Sequence, residues 1–171
     1  EKALTVASHI ILKNALLKEE LFENKMAINH NDLDGLFFNG FHAIVSNPPY
    51  LVLKPNKNKM DADTIENINN MTKYFRNSTY YKYSIEGMLN LYQLSLEAML
   101  GMLQNGGEMG IICPSTLFAD ISASSLRKHL LSKNNVTYIK YFSEDAPRFD
   151  YVTQATCIFA FTIGAPSCKI A

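Results

Sequence analysis

The sequence predicts an α/β fold: a mostly parallel sheet with an antiparallel strand pair at its edge. Three observations predict it. Stretches with helical apolar spacing alternate with short runs rich in β-branched residues. Two of those runs, "FHAIVSNPPY" and "EMGIICP", stop on proline, which has no N–H for a ladder and holds the chain in a stiff exit from the sheet. The last two runs are joined by the polar "SEDAPRFD" with no crossover helix, so they should be antiparallel neighbours.

Each element follows in order. Ala3, Val6, Ile10, Leu17 and Leu21 recur near helical spacing and Leu16 widens the stripe, predicting a helix over about residues 3–22. "KMAINH" at 25–30 reads as a short strand, and Asn31, Asp32, Asp34 and Gly35 supply turn chemistry after it. Phe41, Ala43, Ile44 and Val45 form a buried strand that ends on Asn47-Pro48-Pro49-Tyr50. In a parallel sheet this exit lies outside a strand's carboxyl end, where open α/β folds bind ligands.

Residues 51–88 lack long apolar periodicity and read as an irregular insert with one short helix near 61–74. Six Lys or Arg stand there against four acids, interleaved with Tyr74, Phe75, Tyr80, Tyr81 and Tyr83. Such a mixture can track a phosphate backbone, but the preferred reading is a solvated loop whose aromatics pin it to the core. Leu91, Leu94, Ala98 and Met102 then mark a helix that "QNGG" at 104–107 should close. "EMGIIC" is a buried strand. Asp120 should cap a further helix running to Ser132, with Asn134 and Asn135 ending it, and strands follow at 136–142 and 151–163.

Composition bounds the class. The 171 residues are 47% hydrophobic and 19% charged, enough for one domain with a real core. Sixteen basic residues balance sixteen acidic ones, so whole-chain charge gives no sign of nucleic-acid binding, and only local patches could. Cys113, Cys157 and Cys168 have no metal spacing; an odd count without a leader-like start is expected of a reduced, cytoplasmic protein. His9, His30, His42 and His129 share no ligand spacing, so no metal site is expected, and no apolar run is long enough to span a membrane.

"FHAIVSNPPY", then "GMLNLYQLSLEAMLGMLQNGGEMGIICPSTLF", then "LRKHLL" together resemble the S-adenosylmethionine-dependent N6-adenine DNA methyltransferases of restriction-modification systems. The likeness is closest to the class in which cofactor motifs come first, the catalytic motif follows and target recognition comes last. It implies a Rossmann-like methyltransferase sheet, mostly parallel with an antiparallel last strand and with the N-terminal strands missing. Residues 1–171 would then be a partial catalytic domain. The cofactor motifs that precede the resemblance and the recognition domain that follows it have no counterpart here, so the chain alone is expected to be inactive and to self-associate through its exposed sheet edge.

The resemblance also implies roles. The exocyclic nitrogen of adenine is a poor nucleophile because its lone pair is delocalised, and two acceptors must draw it toward a pyramidal geometry aimed at the sulfonium methyl. Carried over, these are the side-chain oxygen of Asn47 and the carbonyl of Pro48. The partner is double-stranded DNA whose target adenine is flipped out, with Tyr50 stacking on it and Phe149 packing from the other side; Tyr151 competes for the latter role. Asp32 accepts a hydrogen bond from the cofactor adenine, with Leu33 beside that ring, while on sequence alone Asp32 is equally a turn residue. Two other readings stay open. Enzymes that methylate release-factor glutamine or ribosomal RNA guanine also carry Asn-Pro-Pro-Tyr, and a degenerate methyltransferase-like module could bind without catalysis, using the motif only as a rigid turn.

Overall fold

A computed structural model of the chain describes residues 40–144 and 154–164. The expected helix over 3–22, the strand at 25–30 and the residues Asp32, Leu33, Phe149 and Tyr151 lie outside the described residues.

Four strands form one sheet in the order β1-β2-β4-β3, where β1 is Phe41–Ser46, β2 Leu103–Pro114, β3 Asn134–Phe142 and β4 Thr156–Ile163. β1 runs parallel to β2, while β4 is antiparallel to both β2 and β3. Three of the four described strands therefore share one direction, and the last strand of the chain opposes them. The expected antiparallel neighbours, β3 and β4, are paired. One detail differs: the antiparallel strand lies inside the sheet, because β4 inserts between β2 and β3 and leaves β3 at the edge.

Side-chain alternation selects the buried face. Met109, Ile111 and Cys113 of β2 sit directly opposite Phe161, Phe159 and Cys157 of β4, and all six are buried. Three helices cover them: α2 (Leu91–Leu100), the short α3 (Thr116–Ala119) and α4 (Ser124–Lys133), through Tyr92, Leu96, Leu117, Leu126 and Leu130. Ile44 of β1 packs toward the same core, but its neighbour Val45 is 89% exposed. The expectation of a buried β1 thus holds for one face only. β1 is the edge of the described sheet, and among the described residues the helices pack on the core that Ile44 joins.

α1 (Ala62–Asn77) and the chain around it build a second core, in which Ile68, Phe75, Tyr81 and Leu89 pack against Leu91, Leu94 and Ala98. α2 is consequently buried on nearly all sides, as expected of a helix held between two cores, and its buried residues include the polar Gln93 and Glu97. It ends earlier than "QNGG" suggested: Gly101 caps it, and 104–107 lie within β2. Met102 is buried in the second core and Leu103 already belongs to β2, so the helix cannot run on. Gly40, at φ +84°, meets the backbone of β2 so tightly that an added Cβ would lie 2.6 Å from the nitrogen of Gln104. Asp120 caps as expected, accepting from the Ser122 N–H at 2.9 Å, although a single 3-10 turn (Ile121–Ala123) separates it from α4. Asn134 and Asn135 open β3 rather than closing α4 alone.

Candidate active site

Residues 47–50 are held from both ends. On one side Ser46 pairs with Ile111 in the parallel ladder, so the motif leaves the sheet at the carboxyl ends of β1 and β2. On the other side the chain is pinned at once. The Leu91 N–H donates to the Leu51 carbonyl at 2.8 Å, Val52 bridges to Asn90, and the Leu53 N–H donates to the Leu89 carbonyl at 2.8 Å. Between these anchors two prolines fix φ, leaving the four residues little backbone freedom.

Within the turn Asn47 is exposed, Pro48 buried, Pro49 exposed and Tyr50 half-buried. The Tyr50 ring packs against the sheet core, and its hydroxyl donates to Asn47 Oδ1 at 3.1 Å. Burial, reinforced by the nearby Cys113 and Cys157, pushes the Tyr50 phenol up to about 12, so the hydroxyl is a neutral donor at physiological pH. The two thiols face each other across β2 and β4 with Sγ atoms 3.6 Å apart, and both are free. The contact between them, together with burial, holds the Cys113 thiol up, while the same contact draws the Cys157 thiol down against the opposing effect of burial.

The structure therefore brings together Asn47, Pro48 and Tyr50. Asp32 and Leu33, expected to hold the cofactor's adenine, and Phe149, expected to pack on the base, lie outside the described residues. The chemistry of the turn is that of an acceptor pair. Asn47 Oδ1 and the Pro48 carbonyl suit a group that donates two hydrogens, and neither suits a phosphate. Among the described residues no cluster of His, Cys, Asp or Glu could hold a metal ion, and no helix is long and apolar enough to cross a membrane.

Sequence reasoning missed several residues that fasten the insert and α2. Glu97 is buried on α2, and its carboxylate accepts the backbone N–H groups of Lys82, Tyr83 and Ser84 and the Ser84 hydroxyl. Three successive N–H groups aimed at one anion form a nest that fastens the insert to α2. Arg76 donates to the carbonyls of Ile85 and Gly87, at 3.0 and 2.6 Å, and fixes the approach to Asn90. Gln93, also buried, donates to the Tyr92 hydroxyl at 3.2 Å, and its Oε1 has no hydrogen-bond partner among the described residues. The only sequence signal for Glu97 was a charge on the apolar "NLYQLSLEAML".

The sequence model of the family described as "Eco57I restriction-modification methylase" matches residues 3–149. No curated protein matches the chain. Among solved structures, a nuclease-deletion mutant of the Type ISP restriction-modification enzyme LlaGI, in complex with a DNA substrate mimic, is 19% identical with a TM-score of 0.58, covering 94% of this chain and 17% of that one. The DrdV–DNA complex is 18% identical with a TM-score of 0.57, covering 91% and 16%. A putative class I S-adenosylmethionine-dependent methyltransferase from Listeria monocytogenes is 13% identical with a TM-score of 0.50, covering 82% and 37%. The chain thus spans 37% or less of each of these proteins, and at such identities the likeness is one of fold.

Proposed function

Because the chain belongs to the Eco57I restriction-modification methylase family, we propose that it carries the methyl-acceptor side of a DNA methyltransferase that modifies the N6 amino group of adenine with S-adenosylmethionine. The doubly anchored Asn47-Pro48-Pro49-Tyr50 turn supports this reading most. A planar amino group is activated only if both its hydrogens meet acceptors that are already in place, and Asn47 Oδ1 and the Pro48 carbonyl are such a pair. Tyr50 offers a half-buried ring beside them for a base taken out of the stack. The exposed end of β1 fits the methyl-facing part of a cofactor site, and Asp32 and Leu33 would hold the cofactor's adenine. Bound there, the cofactor supplies an electrophilic methyl on a sulfonium. Asn47 and Pro48 orient the attacking nitrogen and stabilise the positive charge that develops on it.

The reading is tested in the intact protein by transfer of labelled methyl to duplex DNA, with digestion to nucleosides to identify the product. N6-methyladenine is expected from the wild type. Asn47→Ala should lose roughly a hundredfold or more in rate at unchanged duplex affinity, the usual cost of removing one preorganised group. Activity within a few-fold of wild type would remove Asn47 from the mechanism, and a methylated glutamine or guanine in place of adenine would give the turn another substrate.

A further inference from the structure

Three residues beyond the Asn47–Tyr50 turn the chain reads Lys54-Pro55-Asn56-Lys57-Asn58-Lys59, all exposed and without an acid between Tyr50 and Lys59. No ion pair involves any of these lysines among the described residues. The segment is not a loose tail. Asn56 Oδ1 accepts from the Asn58 N–H at 3.1 Å, and its carbonyl accepts from the N–H groups of Lys59 and Met60 at 3.1 and 3.0 Å, closing a tight turn. Leu53, buried in the second core, fixes its start, and Asp61 fixes its end by capping α1 through the Thr64 N–H at 2.7 Å. That carboxylate is thereby committed to the helix. In a chain of balanced charge, the basic excess of the insert is thus concentrated on one rigid turn that begins four residues after Tyr50.

We infer that the 54–59 turn contacts the DNA phosphate backbone beside the flipped nucleotide, with Lys54, Lys57 and Lys59 as the contacting groups. The inference rests on the proposed DNA substrate and adds a phosphate-binding surface to it. A flipped base stays covalently tied to its own phosphates, which must therefore lie near Tyr50. An extended chain spans at most about 3.3–3.6 Å per residue, so Lys54 stands within about 14 Å of that ring along the chain. Lysine ammonium groups on a fixed turn neutralise phosphates without reading sequence, so the contact positions the duplex and leaves site choice to other surfaces.

The test is the salt dependence of duplex binding by the intact protein, comparing wild type with the triple variant Lys54→Gln, Lys57→Gln, Lys59→Gln. Each neutralised phosphate contributes about 0.9 to the slope of log affinity against log salt, so the variant's slope should be shallower by about 2–3. Between about 50 and 200 mM salt the wild type should then lose about 40-fold more affinity than the variant does. Lys128→Gln on α4, an exposed lysine outside the turn, should leave the slope unchanged, and a melting curve should show the triple variant folded. An unchanged slope in a folded triple variant that still methylates DNA would overturn the phosphate contact alone. Failure of the wild type to methylate adenine would instead sink the functional reading. A slope change seen with RNA but not with duplex DNA would also overturn the inference.

Discussion

Replacing Tyr50 separates what its ring does from what its hydroxyl does. The hydroxyl donates to Asn47 Oδ1 at 3.1 Å, longer than the usual O–H···O distance of about 2.7–2.8 Å, and it is neutral because the phenol is pushed up to about 12. Such a bond contributes about 0.5 kcal/mol at most, the low end for a neutral pair. It also occupies one of the two lone-pair directions of an oxygen that the proposed mechanism needs for substrate. Tyr50→Phe should therefore keep methylation within a few-fold of wild type. Tyr50→Ala removes a face on which a base can stack, worth about 1–3 kcal/mol, or about 5- to 150-fold in rate. Labelled methyl transfer gives the rate, a fluorescent adenine analogue at the target position gives the flipped fraction, and a melting curve controls for loss of packing against the sheet core. Equal loss in both variants would show that the hydroxyl, not the ring, carries the role. The pH behaviour is a second check: between about pH 10 and 12 the folded chain keeps a proton that the unfolded chain has released, so Tyr50 makes stability fall as pH rises through that window, and Tyr50→Phe should remove its share.

Two further substitutions test the scaffold. Gly40→Ala should cost about 2–4 kcal/mol in urea unfolding, because it combines a left-handed φ of +84° with a backbone contact of 2.6 Å, whereas Gly106→Ala, at φ +78° with nothing within 4 Å, should cost only about 1 kcal/mol; equal costs would mean that the close approach of Gly40 to β2 is unimportant. Glu97→Gln sets an amide NH2 among donors where a carboxylate accepted them and should cost about 2–3 kcal/mol, and a change in unfolding midpoint equivalent to less than about 0.5 kcal/mol would show that the nest holds without its charge.

The legible part of this chain was its local chemistry. β-branched runs, Pro114, Asp120 and the turn at Asn47 all announce themselves within a few residues, and the structure places strands, a cap and a rigid exit there. What could not be read were facts of assembly. The order β1-β2-β4-β3 depends on which strand inserts where, and no local pattern in 151–163 distinguishes an edge from an interior position. "QNGG" carries the chemistry of a helix end, but the helix stops at Leu100 because Met102 is buried in the second core and Leu103 already belongs to the sheet. The hydrogen bond from Tyr50 to Asn47 was equally out of reach: both residues were singled out, but their contact depends on how the turn folds back on itself.

The insert shows why that turn can be rigid at all. A strand end is normally free to fray, and two prolines stiffen only their own φ angles. Here the chain leaving Tyr50 is pinned within three residues to the segment that opens α2, and Leu53 buries its side chain among Ile68, Phe75 and Tyr81. The second core has no contact with substrate in the proposed mechanism, yet it fixes one of the two anchors of the acceptor pair. The nest at Glu97 and the Arg76 bonds to Ile85 and Gly87 tie that core to α2, which the sheet holds from its other side. The position of Asn47 Oδ1 relative to the Pro48 carbonyl is therefore set by both cores together, and the lysine turn, which starts from the same anchored Leu53, keeps its register with them.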